Sequence, residues 1–438
     1  MAFRILIAPD SFKECMSAVE AADAMERGAR TAAANYGHKI HIDTCPISDG
    51  GEGFAETLRV ATRGRRVLRE VRDPTGQWCE AGFIWCGSRA QSRTLANRVF
   101  HKHVGDAIMW WVMPGPTLPG SLVGKSRIAV IESAEAVGLH RVPAHLRDPE
   151  QLSSYGVGEL IGAAMEARAD VIIVGLGGSA TCDGGVGMAR ALGVGFERVD
   201  DPPREDFEPG TKPRDTDRAT SAQDLPRLRS IDMRHAHELI QFTTIIAAYD
   251  VDNPLYGPDG AARVYAPQKG ATPEQVARLE EGLRHLARKC RDAGIKADPD
   301  ALGAGAAGGL GFGLAAFCSA ELRSGAEIVL EVTKFKRRAK RANLVLTGEG
   351  RFDAQSLHGK ACMRAATAAT SAGSRVIGLM GAVAPDVQSA LASSGGPFES
   401  IIQIAPTGMS TAEAIRRGPA FLEQATRRVV EEELMRVR

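Results

Sequence analysis

Four times along the 438-residue chain, a short apolar run ends in a loop that combines small residues with an acidic group. The loops are APDSFK (Ala8 to Lys13), SDGGEG (Ser48 to Gly53), GLGGSATCDGG (Gly175 to Gly185) and TGEGRFD (Thr347 to Asp353). The first follows the β-branched run RILI and leads into SAVEAADAMERGARTAA, which has the period of a helix; the second follows KIHIDT and leads into AETLRVATR. Successive units of strand, loop and helix predict a mostly parallel sheet, because parallel neighbours are joined only by a crossover. Ligands on such sheets sit beyond the carboxyl ends of the strands, which is where these loops fall.

From about Arg65 the texture changes. RVLREVRDPTGQWCEAGFIWC alternates like antiparallel strands around a Pro-Thr-Gly turn, which places a domain boundary near residue 64. RIAVIESAEAVGL, ADVIIVG and FTTIIAAYD, the last ending in Asp250, supply further strands. Ala271 to Arg291 reads as a charged amphipathic helix, and GAGAAGGLGFGLAAFCSA as a glycine-hinged turn entering a helix. ANLVLTGEGRFD, RVIGLMGAV and SIIQIAP then return to the rhythm of the start. The expected fold is α/β with two domains: a Rossmann-like parallel domain built from both chain ends (1–64 and 292–438), and a mixed α/β domain (65–291) inserted in it. The stretches 87–125 and 200–225 fit neither texture and read as irregular insertions without chemistry.

Lysine and arginine number 54 against 53 acidic residues, a net charge of +1, so bulk charge draws neither nucleic acid nor an anionic membrane. Met1 runs straight into a strand without a leader pattern, and no stretch has the roughly 18 apolar residues of a spanning helix. A cytoplasmic protein is expected. The eight cysteines are scattered without a C-x-x-C pair and read as small core residues of a reducing compartment.

Small residues let backbone N–H groups approach phosphate oxygens, and acidic side chains hold Mg²⁺ or take a proton from a hydroxyl. Phosphoryl transfer uses both, although Gly-Gly after a strand serves equally as a tight turn. The sequence lacks the G-x-x-x-x-G-K-[ST] loop and the H-R-D and D-F-G elements of protein kinases; GLGGSA has alanine, Ala180, where a dinucleotide fingerprint needs glycine. Ser179 and Thr181 offer hydroxyls to phosphate, and no G-x-S-x-G elbow makes a nucleophile of Ser179. The histidines form no H-E-x-x-H pair, and only His358, beside Gly359 and Lys360, lies near a candidate loop.

Lys13, Lys269 and Lys360 either neutralise phosphate or carboxylate, or are solvated surface lysines. Arg351 presents a fork suited to carboxylate or phosphate, or pairs with Glu349 or Asp353. Asp49, Asp183, Asp250 and Asp353 are candidates for metal ligand and base, and each could instead cap a helix. Asp183 and Asp353 are the preferred pair.

Taken in order, IAPDSFKE, SDGGEG, GVGELI, GGSATCDGGVGMARALG, DVDNPLYGPDGAARVYAPQKGA, GAGAAGGLGFGL, LRSGAEIV and TGEGRFDAQSLHGKA run through nearly the whole chain. This series resembles the type 1 glycerate kinases. The resemblance implies an active site in the cleft between two α/β domains, ATP with Mg²⁺, and phosphorylation of D-glycerate to 2-phosphoglycerate. Residue chemistry within these motifs makes Asp183, Asp353, Lys13, Lys360 and Arg351 the candidate catalytic residues, and Asp49, Gly50, Gly51, Gly177, Gly178, Ser179, Gly348, Glu349 and Gly350 the candidate nucleotide site. Asp10, Ser11, Asp250, Asn253, Gln268 and Lys269 would meet the substrate, and Asp183 with Asp250 the metal. Expected partners are ATP and the small acid, without nucleic acid or membrane, in a chain compatible with a homodimer. SSYGVG departs from the family's Thr-Ser-Arg-Gly-Thr-Gly, with Tyr155 for arginine and Val157 for threonine. That departure leaves open a kinase of a related hydroxy acid, and beside it a binding protein without turnover.

Overall fold

The computed structural model describes residues 2–86, 127–200, 220–357, 360–385, 387 and 396–436. The chain forms two compact α/β units, Met1–Asp49 with Ala326–Arg438, and Gly50–Gly325.

The first unit is built on five parallel strands in the order Ser400–Gln403, Arg375–Met380, Leu344–Thr347, Phe3–Ile7, Ile40–Thr44. After Phe3–Ile7 the chain adds Ile40–Thr44 on one side and then returns to add Leu344–Thr347 on the other, with Ile5, Leu6 and Ile7 opposite Leu344, Val345 and Leu346. Winding therefore reverses between Phe3–Ile7 and Leu344–Thr347, and a reversal opens a crevice at the carboxyl ends of the two strands. The helix Ala18–Tyr36 starts where Ser17 and Glu20 form a reciprocal cap: the Ser17 hydroxyl accepts from the Glu20 N–H (3.2 Å), and the Glu20 carboxylate accepts from the Ser17 N–H (2.8 Å). Met25 and Ala29 from this helix, and Leu422 and Val430 from Thr411–Arg436, bury Ile5, Ile7, Leu344 and Leu346. The two helices touch closely because residue 28 is glycine; a Cβ there would lie 2.3 Å from the Glu423 carbonyl oxygen.

The second unit is a six-stranded sheet in the order Glu321–Ser324, Thr244–Tyr249, Val171–Gly175, Ile128–Glu132, Trp78–Cys86, Arg65–Arg72. The first four strands are parallel and the last two antiparallel. Every residue of Ile128–Glu132 and Val171–Gly175 is buried, as parallel strands covered on both faces require. The expected hairpin is Arg65–Arg72 with Trp78–Cys86. Its turn is held by Asp73, whose Oδ1 accepts from the N–H groups of Thr75 (2.8 Å) and Gln77 (3.0 Å). The amphipathic helix spans Pro273–Asp292, and the hinged turn is a run of left-handed residues, Ala307, Gly308 and Gly309, before the helix that ends at Cys318.

The boundaries expected at 64 and 292 both fall inside the second unit. Helix Phe54–Thr62 packs on the strands Trp78–Cys86 and Ile128–Glu132, and Glu321–Ser324 pairs with Thr244–Tyr249, so both belong to the inserted sheet. The change of texture at Arg65 marks a hairpin edge and not a unit boundary. The irregular stretch 87–125, and 201–219 of the second one, lie outside the described residues. The end of that second stretch is regular: Ser221 caps a 3₁₀ turn, Ala222–Arg227, whose Asp224 pairs with Arg198 at 2.9 Å.

Gly156 lies in the helix Tyr155–Glu166 where a Cβ would meet the Arg72 carbonyl oxygen at 1.9 Å, whereas Gly37 has φ +65° with nothing within 4 Å of its Cβ position. Gly156→Ala should lower unfolding free energy by about 3 kcal/mol, because backbone cannot yield, and Gly37→Ala by only about 1 kcal/mol. Urea denaturation of the two variants checks this; equal losses would contradict it.

Candidate active site

At the reversal in the first sheet, the two loops run side by side. The Ala8 N–H donates to Leu346 O (2.7 Å), the Asp10 N–H to Gly348 O (2.8 Å), and the Thr347 hydroxyl to Ala8 O (2.7 Å). This brings the carboxyls of Asp10 and Glu349 close enough to repel each other, with Asp49 beside both. Burial, then repulsion from Asp49 and Glu349, pushes Asp10 well above the usual carboxylate range. Burial likewise pushes Glu349 up to about 7, against the pull of Lys360 and Ser356. Glu349 Oε1 and Ser48 Oγ are buried without a hydrogen-bond partner among the described residues. Ser11 turns its N–H onto Asp10 Oδ1 (2.7 Å), Lys13 is exposed, and Lys360 is half-buried at the start of helix Ala361–Thr370. Gly348 has a packing reason to be glycine, since a Cβ would lie 2.1 Å from Leu379 O, while Gly350 would meet Phe12 Cα at 3.2 Å.

Arg351 takes the ion-pair alternative. Its exposed guanidinium lies 3.7 Å from Asp353. Asp353 Oδ1 in turn accepts from the Ser356 N–H at 3.4 Å, a cap on the short helix Ala354–Leu357. The pair expected to be catalytic is thus tied to itself and to a helix start. His358 and Gly359 lie outside the described residues.

In the second unit, two of the expected phosphate glycines are explained by backbone meeting backbone. A Cβ on Gly177 would lie 2.1 Å from Gly51 Cα, and one on Gly50 2.9 Å from Ala248 O. Gly178 is different: it is exposed, with φ +70°, and its carbonyl accepts from the Leu139 N–H (2.9 Å). Next to it, Lys269 is only 4% exposed and donates to Ser179 Oγ (3.0 Å) and Thr181 O (2.7 Å). Burial pushes its ammonium down, and Cys182, Asp183 and Asp250 hold it up. The Thr181 hydroxyl is buried without a partner among the described residues, and the left-handed turn packs against the Thr181 backbone: a Cβ on Gly308 would touch Thr181 O at 2.0 Å. A buried ammonium, neighbouring hydroxyls and an exposed glycine are the kinds of group that anion sites use. Asp250, half-buried, follows the strand Thr244–Tyr249, and Gln268 is exposed.

Two expectations fail here on geometry. Asp183 is fully buried and already serves four donors: the Ser154 N–H and hydroxyl (2.8 Å each), the Gly185 N–H (3.1 Å) and the Gly187 N–H (3.1 Å). It joins the starts of helices Tyr155–Glu166 and Val186–Ala191 from inside the core, with three donors on Oδ2 and one on Oδ1, which commits it to structure and not to the role of base or metal ligand. Asn253 accepts from the Tyr265 hydroxyl (2.6 Å) and donates to Asp259 O (2.7 Å), which pins its own loop and uses one of its two N–H donors. Val157 is fully buried among core residues, so it cannot alter substrate recognition by contact; Tyr155 is half-buried.

Glu132 escaped the sequence reading. It is buried and accepts from the N–H groups of Gly53 (3.1 Å) and Ala55 (3.2 Å), which holds the SDGGEG loop at the start of helix Phe54–Thr62. The signal was present, since RIAVIE is another apolar strand ending in an acid.

The family model described as the glycerate kinase family matches residues 5–433. A glycerate kinase of Halalkalibacterium halodurans is 37% identical over 97% of this chain and 97% of its own length. A glycerate 2-kinase of Escherichia coli strain K12 is 36% identical over 88% of this chain and 86% of its own. A crystal structure assigned as glycerate kinase 2 from Salmonella typhimurium LT2 superposes with a TM-score of 0.72 at 34% identity, covering 99% of both chains. No helix among the described residues is long and apolar enough to cross a membrane.

Burial raises the Glu132 carboxyl from its ordinary 4.5 to about 7, only partly offset by its two backbone hydrogen bonds. The folded state therefore keeps this proton to higher pH than the unfolded chain, and stability is lost as pH rises through that window, by at most about 3 kcal/mol. Glu132→Gln should flatten the fall in urea midpoint between pH 5 and 8, and an unchanged slope would refute the assignment.

Proposed function

The chain belongs to the glycerate kinase family, and from that premise we propose that it transfers the terminal phosphoryl group of ATP to the C2 hydroxyl of D-glycerate. The observation that carries this reading is the family match along residues 5–433, through every loop that holds a candidate residue. The candidate anion site fits it chemically: Lys269, the Ser179 hydroxyl and the Gly178 peptide would pair with the charged oxygens of the reacting groups. Asp250 sits near enough to Lys269 to hold its ammonium up, and it is the remaining candidate base in this unit once Asp183 is committed to four donors.

In this reading, Asp250 accepts the C2 hydroxyl proton as that oxygen attacks the terminal phosphorus, and ADP departs. Such reactions depend on positioning and on neutralising charge spread over the phosphoryl oxygens, which a pre-placed buried ammonium does without reorganising. Bound Mg²⁺ would add further neutralisation of the phosphoryl oxygens. A related hydroxy acid as acceptor rests on Tyr155 alone, because Val157 is core.

Coupled ADP release with D-glycerate, L-glycerate and no acceptor, with the product read by phosphorus NMR, tests the proposal. Turnover with D-glycerate only, and phosphate on the C2 oxygen, is expected. No turnover with either acid, in folded protein that binds ATP, would overturn it. Lys269→Met should cut kcat/KM by about 10²–10³-fold, as loss of a preorganised charge does. Asp250→Asn should lower kcat by about 10²–10⁴-fold with little change in KM, the usual range for a general base. An Asp250→Asn variant of near wild-type kcat would remove it from the chemistry.

A further inference from the structure

We propose that the divalent cation that accompanies ATP binds on the first unit, to the carboxylates of Asp10 and Glu349, and at neither Asp183 nor Asp250. The inference rests on the kinase reading only for the identity of the ion.

Asp10 and Glu349 leave adjacent parallel strands at the one place where the sheet reverses its winding, and the Asp10 N–H bond to Gly348 O (2.8 Å) fixes the two loops against each other. Glu349 is 7% exposed, and its Oε1 has no hydrogen-bond partner among the described residues. A buried carboxylate oxygen left unsatisfied is costly, and a hard cation satisfies it. Ser48 Oγ, equally buried and unpartnered, adds a neutral oxygen next to Asp49 in the same unit.

The donor set also selects the kind of ion. No three His, Cys, Asp or Glu side chains among the described residues converge to enclose a metal. That excludes a closed cage such as structural zinc uses, and it suits Mg²⁺, which keeps several waters and takes one or two carboxylates plus phosphate oxygens. Asp183 cannot serve, with four donors already on its two oxygens. Asp250 lies in the field of the buried Lys269 ammonium, which repels a cation. Around Asp10 and Glu349, Asp49 and Asp353 add negative charge, and Lys13 and Lys360 act against it.

Iron-directed cleavage locates the ion in the unmodified protein. The full chain is loaded with Fe²⁺ and ADP, treated with ascorbate and peroxide, and the fragments are sequenced by mass spectrometry. Cuts within residues 8–13 and 347–351, suppressed by excess Mg²⁺, are expected. Cuts confined to 181–185 or 248–253, or no localised cuts, would overturn the proposal. In parallel, free Mn²⁺ is measured by electron paramagnetic resonance with ADP present. Asp10→Asn and Glu349→Gln should each weaken Mn²⁺ by at least about tenfold, as loss of metal-site groups does, and Asp250→Asn should leave it within about twofold. Wild-type Mn²⁺ affinity in both first variants would place the ion elsewhere and leave the pair to proton chemistry. Cuts at Asp10 and Glu349 in a protein that fails to phosphorylate glycerate would retire the kinase reading and keep the site.

Discussion

The first unit exists because Phe3–Ile7 pairs in parallel with Leu344–Thr347. The bond from the Thr347 hydroxyl to Ala8 O closes a separation of 339 residues. A connection this long is tolerable because closure entropy grows only with the logarithm of length, and the inserted unit buries a core of its own. The pairing also sets the chemistry. It makes the strand after the insertion a neighbour of the first strand, so the winding reverses there, and two acidic loops from opposite ends of the chain meet at the crevice.

Glycine has two separate uses here, and one residue type conceals them. Gly51 and Gly177 bring two backbone segments within a distance no Cβ permits, which seats the SDGGEG loop on the strands it belongs to. Gly178, one residue on, packs against little and stays exposed. The first kind builds the platform and the second is available to a ligand.

Buried charge divides in the same way. Asp183 and Lys269 lie near each other in one core, yet Asp183 uses both carboxylate oxygens to hold two helix starts, while Lys269 uses two of its three N–H donors on Ser179 and Thr181. Asp10 and Glu349 form the opposite case, acids crowded together beyond what their neighbours can satisfy. A structural carboxylate is recognised by a filled shell of donors, and a functional one by a vacancy in it.

The strands of both main sheets and several of their helices were legible in the sequence, whereas the helix Thr411–Arg436 and the strand pair Gly195–Arg198 with Leu228–Asp232 were not. Apolar period marks a strand or helix locally, and Ser17 with Glu20, or Thr272 with Gln275, marks where a helix begins. The family was legible too, since its ordered motifs do not depend on knowing any contact. Tertiary structure alone decided the unit boundaries, because the hairpin at Arg65 looks locally like a new domain, while the pairing that assigns Glu321–Ser324 to the inserted sheet is with Thr244–Tyr249, far back in the chain. It also decided that Asp183 is committed to structure. Asp183 sits in a motif indistinguishable by composition from the others; its four donors include Ser154, 29 residues earlier, and a hydrogen-bond shell assembled across that distance leaves no trace in the residues on either side.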